Sequence, residues 1–256
     1  MQIDTMKSII ANNLRYEDTS RLLNSLYKLI GKSGPFLKDS ERIIDALNLM
    51  LWAHFGQKDR PDGQPYINHP LSVALHIIND YNIFDPDLLI AALLHDTIED
   101  QPQKILDWRN GKVRDNNLKK SALGILEKHF GAKVALLVDK LTNPDFEEEP
   151  GRLATDSEEK DVRKARLYLK HFENLIDESQ LAFVIKMADF SENAFHIELL
   201  EEGVSKDWLR RKYDPVIQML IGRLTNLKDQ SHPLFSLKDR LIEKLLYIYD
   251  RDYRPP

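Results

Sequence analysis

The 256-residue chain contains no cysteine. Disulfides, thiolate metal sites and a cysteine nucleophile are therefore excluded, and a reducing compartment is the natural expectation. Glycine and proline are scarce, with 10 and 12 residues respectively. No stretch alternates strictly between apolar and polar residues, whereas apolar residues at helical spacing recur almost everywhere. The sequence therefore predicts an all-α fold.

Long apolar runs and an excess of positive charge are also missing. No run approaches the ~20 residues that span a bilayer, and the first sixteen residues, MQIDTMKSIIANNLRY, lack the apolar core and cleavage site of a secretory signal. The net charge is -5, whereas a protein that coats nucleic acid needs Lys and Arg in excess. We therefore expect a cytoplasmic protein that binds neither a membrane nor a nucleic acid polymer. The oligomeric state is left open.

Helix signals divide the chain into segments. Asp85-Pro86-Asp87 predicts a helix start, with a capping Asp and a Pro in the first turn, and this helix is expected to continue through Asp96 to Asp100. Other helices are predicted from Ser40 and over about 117–142, 158–175, 179–200, 207–228 and 234–249, with a loop over 143–159. The expected domains are a helical extension at 1–39, a main domain at 40–230, and a C-terminal helix and tail at 231–256.

The strongest local signal is LLIAALLHDTIEDQ, residues 88–101. An apolar helical face leads directly into His95 and Asp96, followed by Glu99 and Asp100. Burying these carboxylates without a cation would be costly, and a divalent metal removes that cost. Asp96, Glu99 and Asp100 are spaced i, i+3 and i+4, so they are expected to face one cavity.

Two more segments supply similar groups. GQPYINHP ends with His69 just before a predicted helix, and IKMADFSEN carries Asp189 with Asn193 one turn later. Taken singly, His69 is as often a structural residue as a ligand, and Asp189 more often belongs to a polar face. Taken together, two imidazoles and two carboxylates suit Mn²⁺, Fe²⁺ or Zn²⁺ better than Ca²⁺, with coordination positions left for water and a substrate oxygen.

The order His…His-Asp…Asp resembles the HD phosphohydrolase superfamily. More narrowly, HFGQ at 54–57, PYINHP at 65–70, AALLHDTIED at 91–100, HFGAKV at 129–134 and IKMAD at 185–189 resemble the hydrolase domain of RelA/SpoT proteins and the small alarmone hydrolases. The resemblance implies an HD-domain helical bundle, here with extra N- and C-terminal helices. It also implies an enzyme that removes the 3′-pyrophosphate from the alarmone (p)ppGpp, a small phosphorylated nucleotide, usually with Mn²⁺.

Site residues follow from the same resemblance. It implies metal ligands at His69, His95, Asp96 and Asp189, and a catalytic acidic pair at Glu99 and Asp100. It implies substrate contacts at Asn193, Lys160 and Tyr213. The family also binds the purine of its substrate with an Arg-Lys pair before the PYINHP motif, and the basic residues of this sequence closest to that position are Lys58 and Arg60. For Lys160 and its basic neighbours, a solvated charged helix face is an equally good interpretation.

Three departures from the family pattern keep alternatives open. The Arg-Lys pair of the family is replaced by Lys58-Asp59-Arg60, the residues after Asp189 are Phe190-Ser191-Glu192, and extra sequence occupies 101–122. The extra segment is interpretable as a surface insertion, a lid or a partner site. The altered positions favour, as the second hypothesis, an HD phosphatase acting on another phosphorylated nucleotide or dinucleotide cofactor. A non-catalytic HD binding domain is the third, although the intact ligand set argues against it.

Overall fold

The computed structural model describes residues 17–31, 36–61, 63–108, 115, 117–143, 157–197, 204–232 and 234–249. The α-helices in these ranges are α1 (Glu17–Ile30), α2 (Ser40–His54), α3 (Asn68–Asn79), α4 (Pro86–Leu94), α5 (Thr97–Asp100), α6 (Pro102–Asp107), α7 (Leu118–Phe130), α8 (Ala132–Leu141), α9 (Ser157–Glu178), α10 (Gln180–Ile197), α11 (Val204–Thr225) and α12 (Lys238–Tyr249). Short 3-10 helices lie at Leu37–Asp39 and Phe235–Leu237. No strand occurs in the described ranges, which confirms the all-α prediction.

The chain divides into two compact units, Met1–Thr142 and Asn143–Pro256. In the first unit, α4 lies at the centre and packs against α2, α3 and α8. All residues of Leu88–Leu94 are buried, as expected for a helix that is apolar on every side. The domain boundaries expected near residues 39 and 230 stay predictions.

Helix α4 begins as the sequence predicts but ends earlier. Asp85 caps it by accepting a hydrogen bond from the Leu88 backbone N–H at 3.0 Å, and Pro86 occupies the first turn. The expectation of one helix through Asp96 to Asp100 is wrong, because α4 ends at Leu94 and a turn precedes α5. His95 Nδ1 hydrogen-bonds the Ala92 carbonyl, and the Thr97 hydroxyl hydrogen-bonds the Leu94 carbonyl. In a continuing helix, these two carbonyls would accept hydrogen bonds from backbone N–H groups instead.

Other helix boundaries also differ from expectation. The helix predicted over 117–142 is divided into α7 and α8 by Gly131, whose φ of 92° lies in the left-handed region that favours glycine. His69, expected just before a helix, is the second residue of α3. The segment predicted as one helix at 234–249 begins with a 3-10 turn before α12. Of the predicted loop at 143–159, residues 144–156 lie outside the described residues, and α9 already begins at Ser157.

The N-terminal extension is anchored close to a predicted ligand. Helix α1 packs against α3, and the buried Thr19 hydroxyl hydrogen-bonds the side chain of Asn68, the residue before His69. The extension therefore braces the start of the helix that carries this histidine.

The second unit is built from long helices around an aromatic cluster. Helix α9 packs against α10 and α11, and α11 packs against α12. The cluster consists of Tyr168, Phe172, Phe190 and Tyr213, with neighbouring ring centroids 5.2 to 5.9 Å apart. Within the described parts of the chain, no helix has the length and apolar character needed to cross a bilayer.

Candidate metal centre

His95 and Asp96 form the turn that follows α4. His95 is buried, and its Nδ1 donates a hydrogen bond to the Ala92 carbonyl at 2.8 Å. In the neutral ring the lone pair is therefore on Nε2, which lies 3.1 Å from Asp96 Oδ1. Two electron-rich atoms at this separation are well placed to share a cation.

His69 approaches the same carboxylate from α3. Its Nε2 lies 3.5 Å from Asp96 Oδ2, and its ring centroid is 5.1 Å from that of His95, with 64° between the ring planes. Each oxygen of Asp96 therefore faces a different imidazole. The structure thus brings together three of the predicted ligands, and this nitrogen–oxygen donor set suits a divalent metal.

Tyr66 holds Asp96 from another side. Its hydroxyl donates a hydrogen bond to Asp96 Oδ2 at 2.6 Å. Burial raises the pKa of Tyr66 well above its usual value, and the charges of Asp96 and Asp100 raise it further. The phenol therefore stays protonated and remains a donor. In the sequence, Tyr66 is part of the PYINHP motif, and its spacing gives no signal of a role.

The predicted acidic pair lies on the short helix α5. Glu99 is half-buried and Asp100 is exposed. The Asp100 backbone N–H donates to the Asp96 carbonyl at 2.9 Å, so the expected i, i+4 relation survives the break after α4. The Asp100 carboxylate accepts a hydrogen bond from Gln57 Nε2 at 2.8 Å.

A third histidine, His54, lies beside this group and is missed by the sequence analysis. Its ring is buried and stacks on Tyr66, with 4.9 Å between centroids and 27° between planes. Its Nδ1 lies 2.7 Å from Gln57 Oε1. Burial lowers the pKa of His54, which favours the neutral ring. Its place in the HFGQ motif was the signal that could have pointed to His54. The separation of His54 and Asp96 along the chain, however, does not show that they lie close together.

In the second unit, Asp189 is buried on α10 with a partner on each oxygen. Lys186 Nζ lies 2.9 Å from Asp189 Oδ2, and Asn193 Nδ2 lies 2.6 Å from Oδ1. Helical spacing places both partners one turn away, as predicted for Asn193. Lys186 is missed by the sequence analysis, although a lysine within an otherwise apolar run, three residues before an aspartate, is the usual signal for such a pair.

The remaining predicted substrate contacts occupy varied settings. Tyr213 is buried in the aromatic cluster, with its ring centroid 5.2 Å from that of Phe190. Lys58 is exposed, whereas Arg60 is half-buried in a turn where its backbone N–H donates to the Gln64 carbonyl at 2.9 Å. Lys160 belongs to α9, but its side chain lies outside the described residues.

One segment of the chain is similar to a known protein family. Residues 46–170 match the family model described as the HD domain. This segment of the chain is therefore similar to the HD domain. The matched segment includes His69, His95 and Asp96, together with Glu99 and Asp100.

Curated proteins similar to this chain include several named as guanosine-3′,5′-bis(diphosphate) 3′-pyrophosphohydrolases. The guanosine-3′,5′-bis(diphosphate) 3′-pyrophosphohydrolase MESH1 of Mus musculus is 33% identical over 106 residues, 41% of this chain and 49% of that protein. The Xenopus tropicalis protein of the same name is 26% identical over 181 residues, 70% of this chain and 81% of that protein. The aligned chain thus spans about half the length of the mouse relative.

Among solved structures, one similar chain is described by the words "A metazoan ortholog of SpoT hydrolyzes ppGpp and plays a role in starvation responses". It shares 20% sequence identity with a TM-score of 0.49, and the alignment covers 80% of this chain and 93% of that chain.

Proposed function

We propose that this protein is a metal-dependent phosphohydrolase that removes the 3′-pyrophosphate from guanosine tetra- and pentaphosphate. The observation that carries the proposal is the convergence of His69, His95 and Asp96, with Tyr66 bonded to the carboxylate. This group lies in the segment that matches the HD domain. The relatives named as guanosine-3′,5′-bis(diphosphate) 3′-pyrophosphohydrolases supply the substrate class.

The proposed metal site consists of His69, His95, Asp96 and Asp189, holding one divalent ion, for which we propose Mn²⁺. Asp189 enters as the fourth ligand because of its place in the motif order His…His-Asp…Asp. Lys186 and Asn193 support this role by fixing the orientation of its carboxylate. A divalent metal in such a site lowers the pKa of a water molecule and polarises the phosphoryl oxygen that it touches.

The acidic pair on α5 supplies the proposed proton acceptor. The water oxygen forms a bond to phosphorus as the bond between phosphorus and the ribose 3′-oxygen breaks. Asp100, with Glu99 beside it, takes the proton from the water. The carboxyl group then gives this proton, directly or through solvent, to the leaving 3′-oxygen, which regenerates the carboxylate. The products are a guanosine 5′-diphosphate or 5′-triphosphate and pyrophosphate.

Basic and polar residues provide the proposed substrate contacts. Lys160, Lys58 and Arg60 offer positive charge to a polyphosphate in a protein whose net charge is -5. Asn193 and Tyr213 complete the set that the family resemblance implies. The exposure of Lys58 is compatible with a contact to substrate.

A second candidate is an HD phosphatase acting on another phosphorylated nucleotide or dinucleotide cofactor. Two observations favour it over a strict alarmone hydrolase. Asp59 separates the two basic residues Lys58 and Arg60, and an acid there changes what a purine-binding cation pair can hold. Phe190, at a position where the family usually has a basic residue, is fully buried and packs against Phe172 and Tyr213.

A product analysis separates the candidates. Mn²⁺-loaded protein is incubated with guanosine tetraphosphate, beside an Asp96→Asn variant and a matched Asp139→Asn variant at an exposed position of α8. The proposal predicts guanosine diphosphate and pyrophosphate from the wild type and from Asp139→Asn only. Turnover of other phosphorylated nucleotides, but not of guanosine tetraphosphate, contradicts it and favours the second candidate. Metal binding without any turnover supports a non-catalytic HD binding domain.

A further inference from the structure

A side-chain network behind Asp100 extends beyond the candidate metal ligands. Gln57, which follows α2, contacts three side chains at once. Its Nε2 lies 2.8 Å from Asp100 Oδ2, and its Oε1 lies 2.7 Å from His54 Nδ1 and 2.9 Å from Gln101 Nε2. One amide therefore joins the end of α2, the end of α5 and the predicted insertion.

The chemistry of these groups gives the network one direction. A carboxylate oxygen accepts hydrogen bonds, and the Gln57 atom that faces Asp100 is the amide nitrogen, which donates. The Gln57 carbonyl oxygen then faces His54 and Gln101, and both must donate to it. With two donors fixing the oxygen of Gln57, its N–H groups are directed at the carboxylate, and a flipped amide would place two acceptors together.

The first part of the predicted insertion braces the same residues. Helix α6 packs against α2. Lys104 Nζ donates to the backbone carbonyls of Ala53 and Phe55, at 2.9 and 2.7 Å, and the Trp52 indole N–H donates to the Lys104 carbonyl at 3.1 Å. These contacts close the C-terminal end of α2, just before Gln57, where backbone carbonyls lack helical partners. This part of the insertion is therefore packed against the domain.

We infer that Gln57 is a positioning residue for Asp100, and that Gln101 and the helix α6 hold Gln57 in the orientation that serves this role. The inference rests on the proposed function, in which Asp100 accepts the proton of the attacking water. Asp100 is exposed, and an exposed carboxylate is free to rotate unless a neighbour fixes it. With Oδ2 bonded to Gln57, Oδ1 is presented in one direction.

A Gln57→Glu variant tests this role with little change of shape. The glutamate keeps an oxygen for His54 and Gln101 but loses the donor to Asp100 and repels its carboxylate. We expect kcat on guanosine tetraphosphate to fall ~10–100-fold, with KM changed less than ~3-fold and Mn²⁺ affinity unchanged. Gln103→Glu is the matched control, because it makes the same change at an exposed position of α6 beside Asp107, to which Gln103 donates a hydrogen bond at 3.0 Å. Its kcat should stay within ~2-fold of wild type.

A double-mutant cycle distinguishes positioning from a purely structural role. If Gln57 acts through Asp100, adding Gln57→Glu to Asp100→Asn should change the residual kcat by less than ~2-fold, because the group to be oriented has already been neutralised. A second variant, Gln101→Met, introduces no charge and removes one hydrogen-bond donor to Gln57. It should lower kcat by ~3-fold without raising KM.

The outcomes separate the inference from the function on which it rests. If the wild type hydrolyses guanosine tetraphosphate and Gln57→Glu retains full kcat, the positioning role is overturned and the proposed function stands. Equal losses of kcat from Gln57→Glu in the wild-type and Asp100→Asn backgrounds also overturn it, because they indicate a general structural effect. A wild type that turns over no guanosine tetraphosphate overturns both.

Discussion

At the scale of single residues, the candidate metal centre depends on how Asp96 is held. Its two oxygens face His69 and His95, and Tyr66 donates to one of them. Hydrogen bonds of this kind orient a ligand and lower the cost of assembling the site. The hydroxyl of Tyr66 is therefore expected to support the candidate metal site through its hydrogen bond to Asp96.

Replacing Tyr66 with Phe removes only the hydroxyl. We expect Mn²⁺ affinity to fall ~10–100-fold, the range typical for the loss of a residue that orients a ligand, measured by calorimetric titration of the metal-free protein. Tyr247→Phe, at a residue that is 53% exposed on α12, is the control and should bind like wild type. Equal affinity in the Tyr66→Phe protein would show that Asp96 needs no such support.

Lys186 presents a second prediction at this scale. It is buried beside Asp189, at 2.9 Å, and near the rings of Tyr168 and Phe172. Lys186→Met leaves the Asp189 carboxylate in place without its cation, so the free energy of unfolding should fall by ~3–5 kcal/mol. Denaturant titration of the metal-free protein measures the loss, and Lys170→Met, an exposed position on α9, should change it by less than ~0.5 kcal/mol. A Lys186→Met protein as stable as wild type would contradict the pairing.

Residues with local signals could be predicted, and those with distant partners could not. The sequence places Asp189 and Asn193 one turn apart on a predicted helix, and in the structure their side chains are hydrogen-bonded across that turn. His54, Gln57 and Tyr66 reach Asp96 or Asp100 only through tertiary packing. Nothing in the spacing along the chain encodes those contacts.

At the scale of elements, α4 shows both what local rules predict and where they fail. Its start follows from a capping Asp and a Pro at the first turn. Its end does not follow from periodicity, because the continuing residues still fit a helix. The His95 and Thr97 side chains take the carbonyls instead, and the resulting turn places His95 and Asp96 at the buried end of α4.

The cap of α4 gives a stability prediction. Asp85→Ala removes the acceptor for the Leu88 N–H and the partner of Lys133, whose Nζ lies 2.9 Å from Asp85. The expected loss is about 1 kcal/mol near neutral pH, measured by thermal or denaturant unfolding. Asp139→Ala, at an exposed position on α8, is the control. A loss no larger than that of the control would contradict the capping role.

The same cap predicts a pH dependence. Burial raises the pKa of Asp85, but the hydrogen bonds from Lys133 and the Leu88 backbone N–H outweigh it, and the net pKa is lowered. A lowered pKa in the folded state gives stability that is present above the unfolded value of ~4 and is lost as pH falls through the folded value. The difference between wild type and Asp85→Ala should therefore shrink in acid below about pH 4. A difference that stays constant down to pH 3 would contradict this assignment.

At the scale of the whole molecule, the amino-acid pattern predicts the helical class, which the structure confirms, whereas the domain boundaries expected near residues 39 and 230 stay predictions. Apolar periodicity is sufficient to predict the helical class, and four of the five motifs that carry the resemblance lie within residues 46–170, which match the HD domain model. The division near Thr142 falls close to the acidic loop predicted at 143–159, but the expected extension at 1–39 has contacts that tie α1 to α3. Such packing depends on complementary surfaces, which the composition of a segment does not reveal.

The central proposal is that one divalent metal, held by His69, His95, Asp96 and Asp189, enables this protein to act as a pyrophosphohydrolase. The most direct test is to strip the protein with a chelator and titrate Mn²⁺ back while following the release of pyrophosphate from guanosine tetraphosphate. We predict no release without metal, a rise with added Mn²⁺ that levels at one equivalent per chain, and no response from His95→Ala over the same range. Release at the full rate from the stripped protein, or from His95→Ala, would contradict the claim.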